Sequence, residues 1–85
     1  MATISAVARD RKAQLRQLMV ASRKLDASQE RLEREVKRLI NRKKAVPELA
    51  DAERLITMAQ NVNASLSAMI SVIENVSQSW GMQYN

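Results

Sequence analysis

The chain has 85 residues and a net charge of +5, with no Cys, no His, one Gly and one Pro. That length holds one small domain, and the missing residue types exclude disulfides, thiolate metal sites and the commonest general base. Two aromatic side chains, Trp80 and Tyr84, exclude a large aromatic core, and so few turn-forming residues argue against a sheet.

The expected fold class is therefore all-α, and a single domain is expected over residues 1–85. The N-terminal "MATISAVARDRK" lacks the apolar run of a secretory leader, and no run of eighteen apolar residues follows. Synthesis in the cytoplasm is expected, with export possible only by a route that reads no leader.

A first helix is expected over about residues 5–44, because no Pro or Gly interrupts residues 4–45. Leu15, Leu18, Leu25, Leu32, Val36 and Leu39 form its apolar stripe, interrupted by Ser22 and Gln29. One local conflict lies in "LDASQE". Asp26 and Gln29 have capping-box spacing and mark the point where this helix could break. Residues 30–38 alternate in sign. Glu30 with Arg34, Arg31 with Glu35, and Glu33 with Lys37 have the i, i+4 spacing of a solvated helix. The trio Arg42, Lys43 and Lys44 suits a helix C-terminus, where cations meet the negative end of the macrodipole.

A turn is expected at residues 45–46 and a second helix over about 47–79. Pro47 suits the first helical position, Glu48, Asp51 and Glu53 load the first turns with negative charge, and Gly81 suits a stop. A short tail, residues 80–85, completes the chain. So short a connection makes the helices antiparallel neighbours. Ala52, Leu55, Ala59, Val62, Leu66, Met69, Ile73, Val76 and Trp80 follow alternating steps of three and four, which is coiled-coil spacing. Ile56, Met58, Ile70 and Val72 fall outside that stripe, as do Met19, Val20 and Ile40 on the first helix.

The two halves differ in charge. Residues 1–46 carry thirteen basic and five acidic side chains; residues 47–85 carry one and four. From residue 55 onward Glu74 is the single charge. A helix so poor in charge is one covered on most sides. The expectation is a coiled-coil-like helical hairpin that completes its core by oligomerisation or with partner helices. The interface residues are expected to be Leu55, Val62, Leu66, Met69, Ile70, Ile73, Val76 and Trp80.

Catalysis finds no support. The serines of the second helix have no base partner, and eight of the nine carboxylates sit in charged, wet segments. Glu74 is expected to pair with a base of the first helix or to lie at the wet edge. No catalytic, cofactor-binding or metal-binding residues are assigned, and no cofactor is expected. A different class of reading makes the first helix a binder of nucleic acid or another anionic surface through Arg9, Arg11, Lys12, Arg16, Arg42, Lys43 and Lys44. No aromatic side chain lies among these cations to stack bases, so a solvated face is favoured over nucleic acid.

The Leu18, Leu25, Leu32, Leu39 repeat resembles a leucine zipper, without that family's base-reading Asn. In size and helix–Pro–helix layout the chain resembles the needle subunits of type III secretion, helical hairpins whose charge-poor second half packs the polymer. "KKAVPE" stands where those subunits have Asn-Pro or Asp-Pro. The layout also resembles small secreted hairpins with Trp-x-Gly in the turn, but here Trp80 and Gly81 are adjacent and close to the C-terminus. The chain is assigned to none of these families. The resemblance implies, as an alternative, a small component or chaperone of a bacterial secretion apparatus.

Overall fold

The computed structural model describes residues 4–43 and 45–83, with side chains as far as Gly81. Lys44 and Tyr84 lie outside the described residues. Two helices, α1 (Ile4–Asn41) and α2 (Leu49–Gln83), pack against each other along their length as an all-α hairpin. The molecule is a thin rod of 67 × 18 × 11 Å.

α1 is continuous through Asp26–Gln29. The capping alternative loses because Leu25 and Leu32 flank it on the face packed against α2, and only an unbroken helix presents both. α1 ends at Asn41, short of the basic trio. Arg42 instead turns its guanidinium to Asp51, with Nη2 3.2 Å from Oδ2.

α2 begins later than Pro47 suggests. Glu48 is its N-cap: its carbonyl accepts the N–H groups of Asp51 and Ala52 at 3.0 and 3.2 Å. The Asp51 carboxylate reaches back to accept the Glu48 N–H at 3.0 Å, which is the reciprocal half of a capping box. α2 then runs through Gly81 rather than stopping near residue 79. A glycine stop requires a left-handed residue, and no described glycine has positive φ.

Three pairs fix the register: Gln14 with Trp80, Ser28 with Ser65, and Arg42 with Asp51. They place Leu18, Leu25, Leu32 and Leu39 of α1 opposite Val76, Met69, Val62 and Leu55 of α2. These eight positions belong to the expected stripes. The seam positions between them do not. On α1 they are Gln14, Ala21, Ser28 and Glu35, each one residue before the expected Leu15, Ser22, Gln29 and Val36. On α2 they are Asp51, Met58, Ser65 and Val72, each one residue before the expected Ala52, Ala59, Leu66 and Ile73. The same one-residue shift occurs on both helices. It brings in five polar side chains that find partners across or along the hairpin, and it turns a second apolar stripe outward.

The core is correspondingly thin. Among the described residues only Leu39, Val76 and Asp51 are buried. The accessible surface is 6934 Å² for a 9.6 kDa chain. A compact monomer of that mass exposes about 5,100 Å², so the excess is roughly 1,800 Å².

Candidate interaction surfaces

The seam splits the rod into two faces. One holds the outward apolar stripe: Leu15, Met19, Val36 and Ile40 from α1, and Ile56, Leu66, Ile70 and Ile73 from α2, each between 38% and 74% exposed. On α2 the spacing of Ala52, Ile56, Ala59, Asn63, Leu66, Ile70, Ile73, Ser77 and Trp80 is again three and four, so α2 carries two heptad stripes side by side. The first is consumed by α1. The second faces outward, and between Ala52 and Trp80 it contains no charged residue.

The expected interface residues therefore divide. Leu55, Val62, Met69 and Val76 lie in the seam, half-buried or buried. Leu66, Ile70 and Ile73 lie on the outward stripe. Trp80 sits at the boundary between seam and outward face, half-buried. Its Nε1 donates a hydrogen bond to Gln14 Oε1 at 2.7 Å, and the Arg11 guanidinium lies over its ring at 4.9 Å from the centroid. A cation on an indole face is a favourable electrostatic contact, so Trp80 ties the open end of the hairpin together.

The opposite face is a shallow groove between the helices. Gln17, Val20 and Lys24 of α1 and Ala64 and Ala68 of α2 line it, with Ser28 and Ser65 at its floor.

Charge is distributed unevenly along the rod. Every ion pair among the described residues lies toward the turn, between Glu33 and Arg54. Asp51 binds Arg42 and Arg54, and Glu35 binds Arg38 at 2.6 Å and Arg54 at 3.4 Å. The Asp51 carboxyl is held below its ordinary value by the Glu48 N–H first and then by Arg42 and Arg54. Glu35 is held low by the Arg38 hydrogen bond, and Arg38 is raised in return. Of the expected i, i+4 pairs, only Glu33 with Lys37 forms. Glu35 turns across the seam to Arg54 instead, and that long-range partner was invisible from spacing on one helix.

Toward the open end the cations meet no such acids. The residues proposed for anions do not form one site. Arg11 is engaged with Trp80 and Arg42 with Asp51, at opposite ends of the rod. Arg9, Lys12 and Arg16, with Arg23, make no ion pair among the described residues, and Lys12, Arg16 and Arg23 border an open groove whose floor is Leu15, Met19 and Val20. Lys43 lies apart from these, just beyond the end of α1. Glu74 is exposed and lies at the wet edge. No described group of three or more acidic side chains converges as a metal cluster, and no described helix is long and apolar enough to cross a membrane.

Compared with known proteins, the chain matches no family model, no curated protein and no solved structure.

Proposed function

We propose that the protein is a non-enzymatic assembly subunit whose charge-poor α2 packs against other helices in a homo-oligomer, filament or larger complex. The observation that carries this reading is the second heptad stripe of α2. Leu66, Ile70 and Ile73 keep coiled-coil spacing yet remain exposed, beside Leu15, Met19, Val36 and Ile40 on the same face. The surplus surface is roughly 1,800 Å² per chain, about 3,600 Å² for a pair, in the range that obligate interfaces remove from water. Sedimentation velocity over a range of concentrations tests it. The wild-type chain is expected to sediment as more than 9.6 kDa. Ile70→Glu, on the outward stripe and 44% exposed, is expected to lower that mass while leaving the helical signal intact. A helical species of single-chain mass at every concentration, unchanged by Ile70→Glu, overturns self-assembly.

A second reading has its own observation. Arg9, Lys12, Arg16 and Arg23 stand without acidic partners among the described residues, beside exposed Leu15, Met19 and Val20. An anionic surface is the ligand such a patch attracts. Binding that weakens with salt, and whose log–log salt slope shrinks by about 0.9 per lost DNA phosphate contact when these four become Gln, supports it.

A further inference from the structure

The outward stripe has an internal symmetry. On α1 its large apolar residues come in two pairs, Leu15 with Met19 and Val36 with Ile40, separated by polar residues that include Asp26 and Glu33. Reversing the direction of the helix about a point between Ala27 and Ser28 exchanges Leu15 with Ile40 and Met19 with Val36. The Ser28–Ser65 pair shows that this point lies across from Ser65, and Leu66 stands beside it on the outward face. The α1 half of the face thus matches itself under a two-fold axis at right angles to the rod, with Leu66 of α2 at the axis.

We propose that a second copy of the chain covers this face, laid antiparallel so that α1 packs on α1 and α2 on α2 in a four-helix bundle. The inference rests on the reading of this face as an assembly surface, and it adds the partner and its direction. Two observations choose this occupant. First, an isologous interface requires one patch to match itself reversed, and the spacing of the four α1 residues does so. Ile40, 74% exposed, would enter the groove beside Leu15 and Met19 of the second copy. Second, the area fits a pair: the surplus of roughly 1,800 Å² per chain, about 3,600 Å² for two, is in the range that obligate homodimer interfaces remove from water. The reversal of the four α1 residues sets the direction, since it matches only when the two rods run antiparallel.

The native chain has no cysteine, so engineered thiols report the arrangement directly. In Leu15→Cys with Ile40→Cys the two thiols of one chain are about 37 Å apart along α1 and cannot pair internally. Mild oxidation is expected to convert most of this variant to a covalent dimer, and likewise Met19→Cys with Val36→Cys. Leu15→Cys alone is expected to stay at single-chain mass on a non-reducing gel. Circular dichroism confirms folding, since all four positions are exposed in the hairpin. Dimers by sedimentation that fail to cross-link in both double variants overturn the antiparallel bundle and leave the assembly reading standing. A wild-type chain that sediments as a monomer throughout overturns the second copy and homo-oligomeric assembly together.

Discussion

Ser28 and Ser65 meet hydroxyl to hydroxyl at 3.2 Å across the middle of the hairpin, at seam positions that larger apolar residues would ordinarily occupy. Ser28 also donates to the Lys24 carbonyl at 3.0 Å, leaving its oxygen free to accept from Ser65. The layer fixes register more than it adds stability. A hydrogen bond between neutral groups contributes about 1 kcal/mol net, and losing one partner costs most when the other is left dry. Here an open groove lets water reach the pair. Ser28→Ala and Ser65→Ala are therefore each expected to cost under about 1 kcal/mol, and the double variant little more than either alone. Urea melts of the four species measure the coupling.

The stripes show how far a heptad can be read without a structure. Leu18, Leu25, Leu32 and Leu39, and Leu55, Val62, Met69 and Val76, are seam residues in either register. The ambiguity concerns their alternates. Counting apolar residues selects Leu15, Val36, Leu66 and Ile73, whereas the hairpin uses Gln14, Glu35, Ser65 and Val72. Counting fails because a helix with two contact faces carries two stripes, and the richer one is not the one its own chain covers. Trp80 with Gln14, Glu35 with Arg54 and Asp51 with Arg42 decide the matter, and each depends on a residue far away in sequence or beyond the turn. The all-α hairpin itself was legible from one Pro, one Gly and two long periodic segments, since those leave no other compact arrangement.

Leu39 tests where the hairpin's own stability resides. It is one of the few buried apolar residues and lies opposite Leu55. Leu39→Ala is expected to destabilise the hairpin by about 2 kcal/mol, the low end for buried leucines, because so open a core relaxes into the space. Val46→Ala, at a connecting residue 80% exposed, is the comparison and is expected to leave the melt unchanged. Equal effects at the two sites would place the stability elsewhere.

Asp51 does three things with one carboxylate: it accepts the Glu48 N–H, binds Arg42 beyond the end of α1, and binds Arg54 one turn along α2. Asp51→Ala is expected to lower the melting temperature by several degrees. Glu53→Ala, two residues away on an exposed side chain without an ion pair among the described residues, is expected to do little. Thermal melts of the two variants in one buffer give the comparison. If Glu53→Ala proved as costly, negative charge at the start of α2 would matter and the specific clamp would not.

The same clamp sets an acid response. Asp51 and Glu35 are both held below their ordinary values of 3.8 and 4.5, so the folded state binds fewer protons than the unfolded chain in that range. Stability from these groups is fully present above those ordinary values. It is lost as pH falls through them toward each group's lowered folded value. Denaturant midpoints are expected to be flat from pH 7 to about 5 and to decline below that, as expected for carboxylates paired in the native state. In Asp51→Asn with Glu35→Gln the decline should flatten, since neither position any longer takes up a proton on unfolding. A double variant that keeps the wild-type slope would assign the acid response to the remaining carboxylates.

Trp80 is the single tryptophan, and its indole is held by Gln14 and Arg11 at the end of the rod away from the turn. Its fluorescence therefore reports the open end without labelling. Gln14→Ala removes the Nε1 acceptor, and Arg11→Gln removes the cation over the ring. Each is expected to shift the emission to longer wavelength as water reaches the indole, while far-ultraviolet dichroism barely changes. A cation–aromatic contact at a partly exposed site contributes about 0.5–1 kcal/mol, so Arg11→Gln should fray the end without melting the hairpin. Under denaturant this probe should then move ahead of the helical signal, because the layers nearer the turn hold Leu39 and the Asp51 clamp. Coincident transitions in the wild type and in both variants would mean that the rod unfolds as one unit from end to end.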